Sequence, residues 1–204
     1  MTDSGNKRFA ASAQSNREPI RVCLEQLLTS GDRVLEIGSG TGQHACYFAR
    51  HFPTIVWQPT ELAENLPVIN QWLQDEDVTN VEAPLLLDVS QLPWPVKHAD
   101  IVYTCNTFHI MSESCVENLF EGVAEVLKES GRLVVYGPFM IDGKPMVASN
   151  SNFDQMLRQQ NPSQGIRDTA WLNALASRHG FSDATLQPMP SNNFIAVWSR
   201  LGSQ

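Results

Sequence analysis

The chain has little positive charge, no C-x-x-C pair and no long apolar run. It carries 14 Lys and Arg against 22 Asp and Glu, a formal net charge of −8. No Lys/Arg cluster stands out, so the basic face that grips DNA or RNA is lacking and no nucleic-acid partner is expected. The four cysteines, Cys23, Cys46, Cys105 and Cys115, are widely spaced, which argues against a zinc site or a redox pair. Cys46 and Cys105 lie in apolar runs and read as small core residues. No stretch approaches the ~20 apolar residues of a membrane span. The polar start MTDSGNKR has no apolar run behind it, so no signal peptide is expected. The expectation is a soluble, cytoplasmic protein. Repeats and low-complexity linkers are absent too, and the length suits one domain, 1–204, with a full core.

What is present is alternation. Residues 1–16 are small and polar and are expected to lie loosely over the surface. A helix should start near Pro19, with Ile20, Leu24, Leu27 and Leu28 on one face and Gly31 as its stop. Strands are predicted over 33–37, 55–58, 85–87, 100–104, 132–136, 185–187 and 194–199. Helical patterns fall over 42–50, 65–74, 115–128 and 168–179. The clearest has Val116, Leu119, Phe120, Val123 and Leu127 in one stripe, with Glu117, Glu121 and Glu125 outside it. Such alternation implies an α/β fold with a mostly parallel sheet covered by helices on both faces. Segment 137–167 breaks the rhythm. It is rich in Gly, Pro, Asn and Ser, with a short helical pattern near 153–160. It follows the C-terminal end of a strand, the edge where open α/β sheets bind ligands, and is expected to cover the active site.

The most informative segment is Val34-Leu35-Glu36-Ile37-Gly38-Ser39-Gly40-Thr41-Gly42. An apolar strand opens into glycines that leave room for a ligand, and a helix follows with its positive end beside the turn. That arrangement points to a nucleotide-type cofactor. The G-x-G-x-G spacing departs from the G-x-G-x-x-G of dinucleotide sites. A nucleoside also needs a carboxylate for its ribose. Glu61 stands after the second strand, ~20 residues beyond the turn, as that role requires, with Thr60 as an alternative. Asp88 follows an apolar run and could accept from an adenine amine or cap a turn.

The first motif, with Glu36 two residues before Gly38, resembles that of the class I methyltransferases, which bind S-adenosylmethionine (SAM). Asp88-Val89-Ser90-Gln91-Leu92-Pro93 resembles the D-x-x-x-L-P segment of many of them, where the Asp meets the adenine amine and the next backbone N–H meets the ring. The run from His98 to Asn106 resembles the fourth strand, whose end at Asn106–His109 would face the methyl group. The N-P-P-Y of amino-methylating enzymes is absent, and Asn106-Thr107-Phe108-His109 stands there instead. Further segments, among them Asn16-Arg17-Glu18-Pro19, Tyr136-Gly137-Pro138-Phe139 and Met189-Pro190-Ser191-Asn192-Asn193, resemble an uncharacterised methyltransferase-like family over the whole chain.

The resemblance implies a Rossmann-like, seven-stranded, mostly parallel sheet. It implies SAM as cofactor, S-adenosylhomocysteine as product, and Glu36, Gly38, Ser39, Gly40, Glu61, Asp88, Val89 and Asn106 around the cofactor. Family members often have Asp at the position of Glu61, but the longer side chain still reaches a ribose. Methyl transfer from a sulfonium needs alignment above all, and a base only for a poor nucleophile. His109 is the base candidate, with a structural histidine as the alternative. His44 could contact the cofactor, and Trp94 the adenine. Tyr136, Asn150 and Arg167 are candidate substrate contacts, the last able to bind an acid group with two parallel bonds, or to form a surface salt bridge. A small-molecule acceptor is expected. A non-catalytic SAM-binding module, a protein methyltransferase and an NAD-dependent oxidoreductase remain alternatives. The acceptor, the atom methylated and the oligomeric state are not encoded in any motif.

Overall fold

The computed structural model describes residues 8–144 and 146–202, so the expectation for 1–7 falls outside the described residues. The chain divides into two compact units, Met1–Asp88 and Val89–Gln204.

In the first unit the order is α1 (Ala11–Leu27), β1 (Arg33–Ile37), α2 (Gln43–His51), β2 (Val56–Glu61), α3 (Leu66–Glu76) and β3 (Leu85–Leu86). β1 runs parallel to β2, from Arg33 opposite Val56 to Ile37 opposite Thr60. β2 runs parallel to β3. Four consecutive residues of β1, Val34 to Ile37, are buried, as a strand covered on both faces demands.

α1 corrects two expectations. It begins at Ala11, and Pro19 lies inside it. Its first turns are too polar to show an apolar period; side-chain bonds hold them instead. Gln43 Oε1 accepts from the Ala10 N–H at 2.6 Å. His44 Nε2 donates to the Ala13 carbonyl at 3.2 Å and to Asn16 Oδ1 at 2.8 Å. Asn16 is buried as a result, so residues 11–16 are not a loose surface segment.

The second unit holds β4 (Ala99–Cys105), α4 (Glu113–Val126), β5 (Leu127–Gly137), β6 (Phe139–Met140), α5 (Ala148–Gln160), β7 (Arg167–Asp168), α6 (Thr169–Arg178), β8 (Thr185–Met189) and β9 (Asn193–Ser199). β4 and β5 are parallel, with Cys105 opposite Tyr136. β9 is antiparallel to both β5 and β8. β6 and β7 form a small separate parallel pair. α4 has the predicted stripe, and its Ser112 cap accepts from the Cys115 N–H at 3.1 Å. It stops at Val126 because Leu127 already pairs with Ala99 as strand. Gly122 is glycine for a steric reason: a Cβ there would lie 2.3 Å from the Trp94 ring. α5 starts five residues earlier than its weak apolar pattern suggests.

Within the units the strand orders are β3-β2-β1 and β4-β5-β9-β8. These are the seven strands of a mostly parallel sheet, the expected α/β class. Among the described residues no helix is long and apolar enough to cross a membrane.

Candidate active site

The glycine turn lies in the first unit, between β1 and α2. Gly38, Gly40 and Gly42 have φ of +70°, +59° and +85°, the left-handed region that costs other residues most. Their reasons differ. A Cβ on Gly42 would press on Ile69 of α3 at 3.0 Å, whereas one on Gly40 meets nothing within 4 Å. Gly42 therefore serves packing, and Gly40 leaves open space beside the turn. That space is what a nucleoside needs.

Glu36 braces the turn from beneath. Its Oε2 accepts from Ser39 Oγ and from Trp57 Nε1, both at 2.9 Å. Ser39 Oγ in turn accepts from the Thr60 N–H at 3.2 Å. The Thr60 hydroxyl donates to the Glu36 carbonyl at 2.7 Å, so it is fully buried and turned inward. Glu61, the last residue of β2, is half-buried. Its carboxylate accepts from the Gly40 N–H and the Leu62 N–H, each at 2.8 Å. Between the two ribose candidates, only Glu61 offers its side chain at the turn, with lone pairs to spare. The Leu87 N–H donates to the Glu61 carbonyl at 3.1 Å, which places half-buried Asp88 next along the chain. His44 departs from expectation: it is buried under α1 and committed to Ala13 and Asn16.

In the second unit the ends of β4 and β5 gather three residues. Asn106 leaves β4 at φ +58° and donates its N–H to the Tyr136 carbonyl at 2.8 Å. A Cβ on Gly137 would lie 3.9 Å from both Asn106 Oδ1 and His109 Nδ1. The His109 ring meets Phe153 of α5 edge-on, with centroids 5.2 Å apart. Burial, with the Arg167 charge behind it, holds the imidazole down to about 4. It is neutral at physiological pH, and the burial that keeps it neutral also makes it a weaker proton acceptor than a free imidazole.

Arg167 is not offered to a ligand, and this corrects its reading as a substrate contact. Only 3% exposed, it donates Nε–H to the Phe108 carbonyl at 3.2 Å and Nη2–H to the carbonyls of Met111 and Ser163. Its Nη1 lies 3.4 Å from Glu113. It clamps the loop that carries His109. Tyr136 is 4% exposed, its phenol raised by burial and hydrogen-bonded to Asn193. Asn150 is half-buried and lines a cavity with Phe139 and Phe194. Val89 is buried. Trp94 lies over Gly122 of α4, and its Nε1 has no hydrogen-bond partner among the described residues. Gly137 and Phe153 were missed from sequence, because neither glycine in a strand nor phenylalanine in a weak helix carries a chemical signal.

The buried groups give a pH test. Burial pushes Glu36 up to about 7 from an ordinary 4.5. Its contribution to stability is full below the ordinary value and is lost as pH rises through about 7. His44 and His109, both held at about 4 chiefly by burial, act oppositely: their contribution is present above ~6.5 and lost as pH falls toward 4. Glu36→Gln is expected to gain stability relative to the wild type as pH rises from about 4.5 to about 7 and to hold that gain above it, read from urea midpoints. A constant difference would contradict the raised value.

A family model described as "protein of unknown function (DUF938)" matches residues 7–200. The C-methyltransferase NovU of Streptomyces niveus is 26% identical over 163 residues, covering 76% of this chain and 36% of NovU. The S-adenosylmethionine-dependent methyltransferase SibL in its apo form superimposes with a TM-score of 0.79 at 18% identity, over 94% of this chain and 56% of SibL. Human N-acetylserotonin methyltransferase, solved in complex with SAM, gives 0.77 at 16% identity, over 94% and 53%. The chain thus shares the fold of these structures. It spans about a third of the length of NovU and just over half that of the other two.

Proposed function

The chain belongs to the DUF938 family of unknown function, and from its own residues we propose that it is a SAM-dependent methyltransferase acting on a small-molecule acceptor. The observation that carries this is the turn where Gly40 leaves open space and presents its N–H beside the Glu61 carboxylate. The likeness to NovU and to the SAM-dependent fold supports it.

Each residue then has a task. Glu61 accepts the ribose hydroxyls, and the backbone of Gly38, Ser39 and Gly40 lines the nucleoside. Glu36 holds that turn in shape. Asp88 accepts from the adenine amine, and the Val89 N–H meets the ring. The sulfonium of SAM supplies an activated methyl group, so the protein chiefly aligns the reactants. Neutral His109, with Asn106 beside it, takes the proton from an acceptor hydroxyl. SAM held at the turn would supply the methyl group to that oxygen and would become S-adenosylhomocysteine.

The purified chain, incubated with SAM and fractionated small-molecule extracts, is expected to release S-adenosylhomocysteine with one acceptor fraction and to yield a product one methylene heavier. Methylation of protein alone, with every small-molecule fraction inert, would contradict the small-molecule reading.

A further inference from the structure

A cavity of about 160 Å3 opens in the second unit. It is lined by the apolar Phe139, Ile141 and Phe194 and by the polar residues Lys144, Asn150 and Asn192. Its surroundings tie it to the end of β5. Phe194 stands opposite Gly137 in the β5–β9 ladder, and Gly137 adjoins Asn106 and His109. Asn150 and Phe153 are three residues apart on α5 and so share a helix face. One lines the cavity and the other packs on the His109 ring.

The rim is built rather than incidental. Ser191 and Asn192 both hold left-handed φ, +59° and +57°, a costly conformation for two successive non-glycine residues. Asn150 Nδ2 clasps the Asn192 carbonyl at 3.1 Å, and Asn192 Nδ2 reaches Ser149 Oγ at 3.3 Å. Size and charge then narrow the occupant. A dry apolar cavity of about 150 Å3 accommodates a benzene ring. The exposed Lys144 ammonium has no ion-pair partner among the described residues. Asp142 and Asp168 brace the turn beside it through Thr169 and the Gly143 N–H, yet neither pairs with the ammonium, and Lys144 is the cationic side chain on the cavity wall, a local preference for an anion.

We infer that this cavity receives the ring of the acceptor, a single-ring molecule with one carboxylate that Lys144 meets at the rim. As an acceptor site it rests on the methyl-transfer reading. The test titrates the full chain with benzoate, benzyl alcohol and benzylamine by calorimetry, with and without S-adenosylhomocysteine. Benzoate is expected to bind with a Kd below about 10 mM. It should bind about fivefold tighter than benzyl alcohol, the preference a partly solvated ion pair gives, with benzylamine weakest. Lys144→Glu, at an exposed position that leaves the fold intact, should reverse the order of benzoate and benzylamine and leave benzyl alcohol unchanged. No benzoate binding, or an order unaltered in Lys144→Glu, overturns the inference. SAM binding without benzoate binding would refute the acceptor class alone. Benzoate binding without SAM binding would refute the methyl-transfer reading and, with it, the acceptor role.

Discussion

Arg167→Met is expected to lower stability by about 3 kcal/mol and to loosen the loop that carries His109. The guanidinium bonds the carbonyls of Phe108, Met111 and Ser163. A methionine fills the volume but leaves those acceptors without a donor, and each buried orphan costs about 1–3 kcal/mol before relaxation. Loss of the buried charge offsets part of that. Arg167→Lys keeps the charge but cannot fork to three carbonyls, so it should fall between the two in urea midpoint. A second readout separates charge from clamp. Arg167 helps hold His109 protonation down, so the His109 titration followed by NMR should move up in Arg167→Met and stay lower in Arg167→Lys. A Met variant as stable as the wild type would show that the loop does not depend on this residue.

Gly40→Leu is expected to weaken SAM binding by about 100-fold or more, a loss of roughly 2.7 kcal/mol, while the protein stays folded. The added Cβ meets no protein atom within 4 Å, so the main cost to the folded state is the left-handed strain of φ +59°, about 1–2 kcal/mol. What the side chain fills is the space assigned to the cofactor. Gly42→Ala is the contrast. There the Cβ presses on Ile69, so stability falls through packing of α2 on α3. If Gly40→Leu retained affinity for SAM, the cofactor would have to bind elsewhere.

Much of the fold is legible from residue periods. β1 matches its predicted bounds because Val34, Leu35 and Ile37 form an apolar run that ends at a glycine turn. α4 lies two residues earlier than its predicted 115–128: the stripe from Val116 to Val123 is on the helix, while Leu127 opens β5. The start of α1 is not legible, since polar residues there are held by Gln43 and His44, more than two dozen residues away. The site shows the same division. The glycine turn and Glu61 follow from what a nucleoside requires, and the structure separates Glu61 from Thr60 by turning one hydroxyl inward. Arg167 reads from sequence as an anion-binding group or a surface salt bridge, because sequence shows a charge but not the carbonyls that surround it. Asn150 reads from sequence as a substrate contact, yet the phenylalanines beside it carry no chemical signature and come together through the β5–β9 register and α5.

We propose that the turn from Gly38 to Gly42, with Glu61 beside it, holds SAM. Calorimetric titration of the full chain with SAM and S-adenosylhomocysteine tests it most directly, with NAD and Glu61→Ala as comparisons. Saturable binding of both ligands at one site per chain is expected, weakened by Glu61→Ala, with NAD silent. No heat from either ligand at millimolar concentration in folded protein, or binding of NAD in their place, would contradict it.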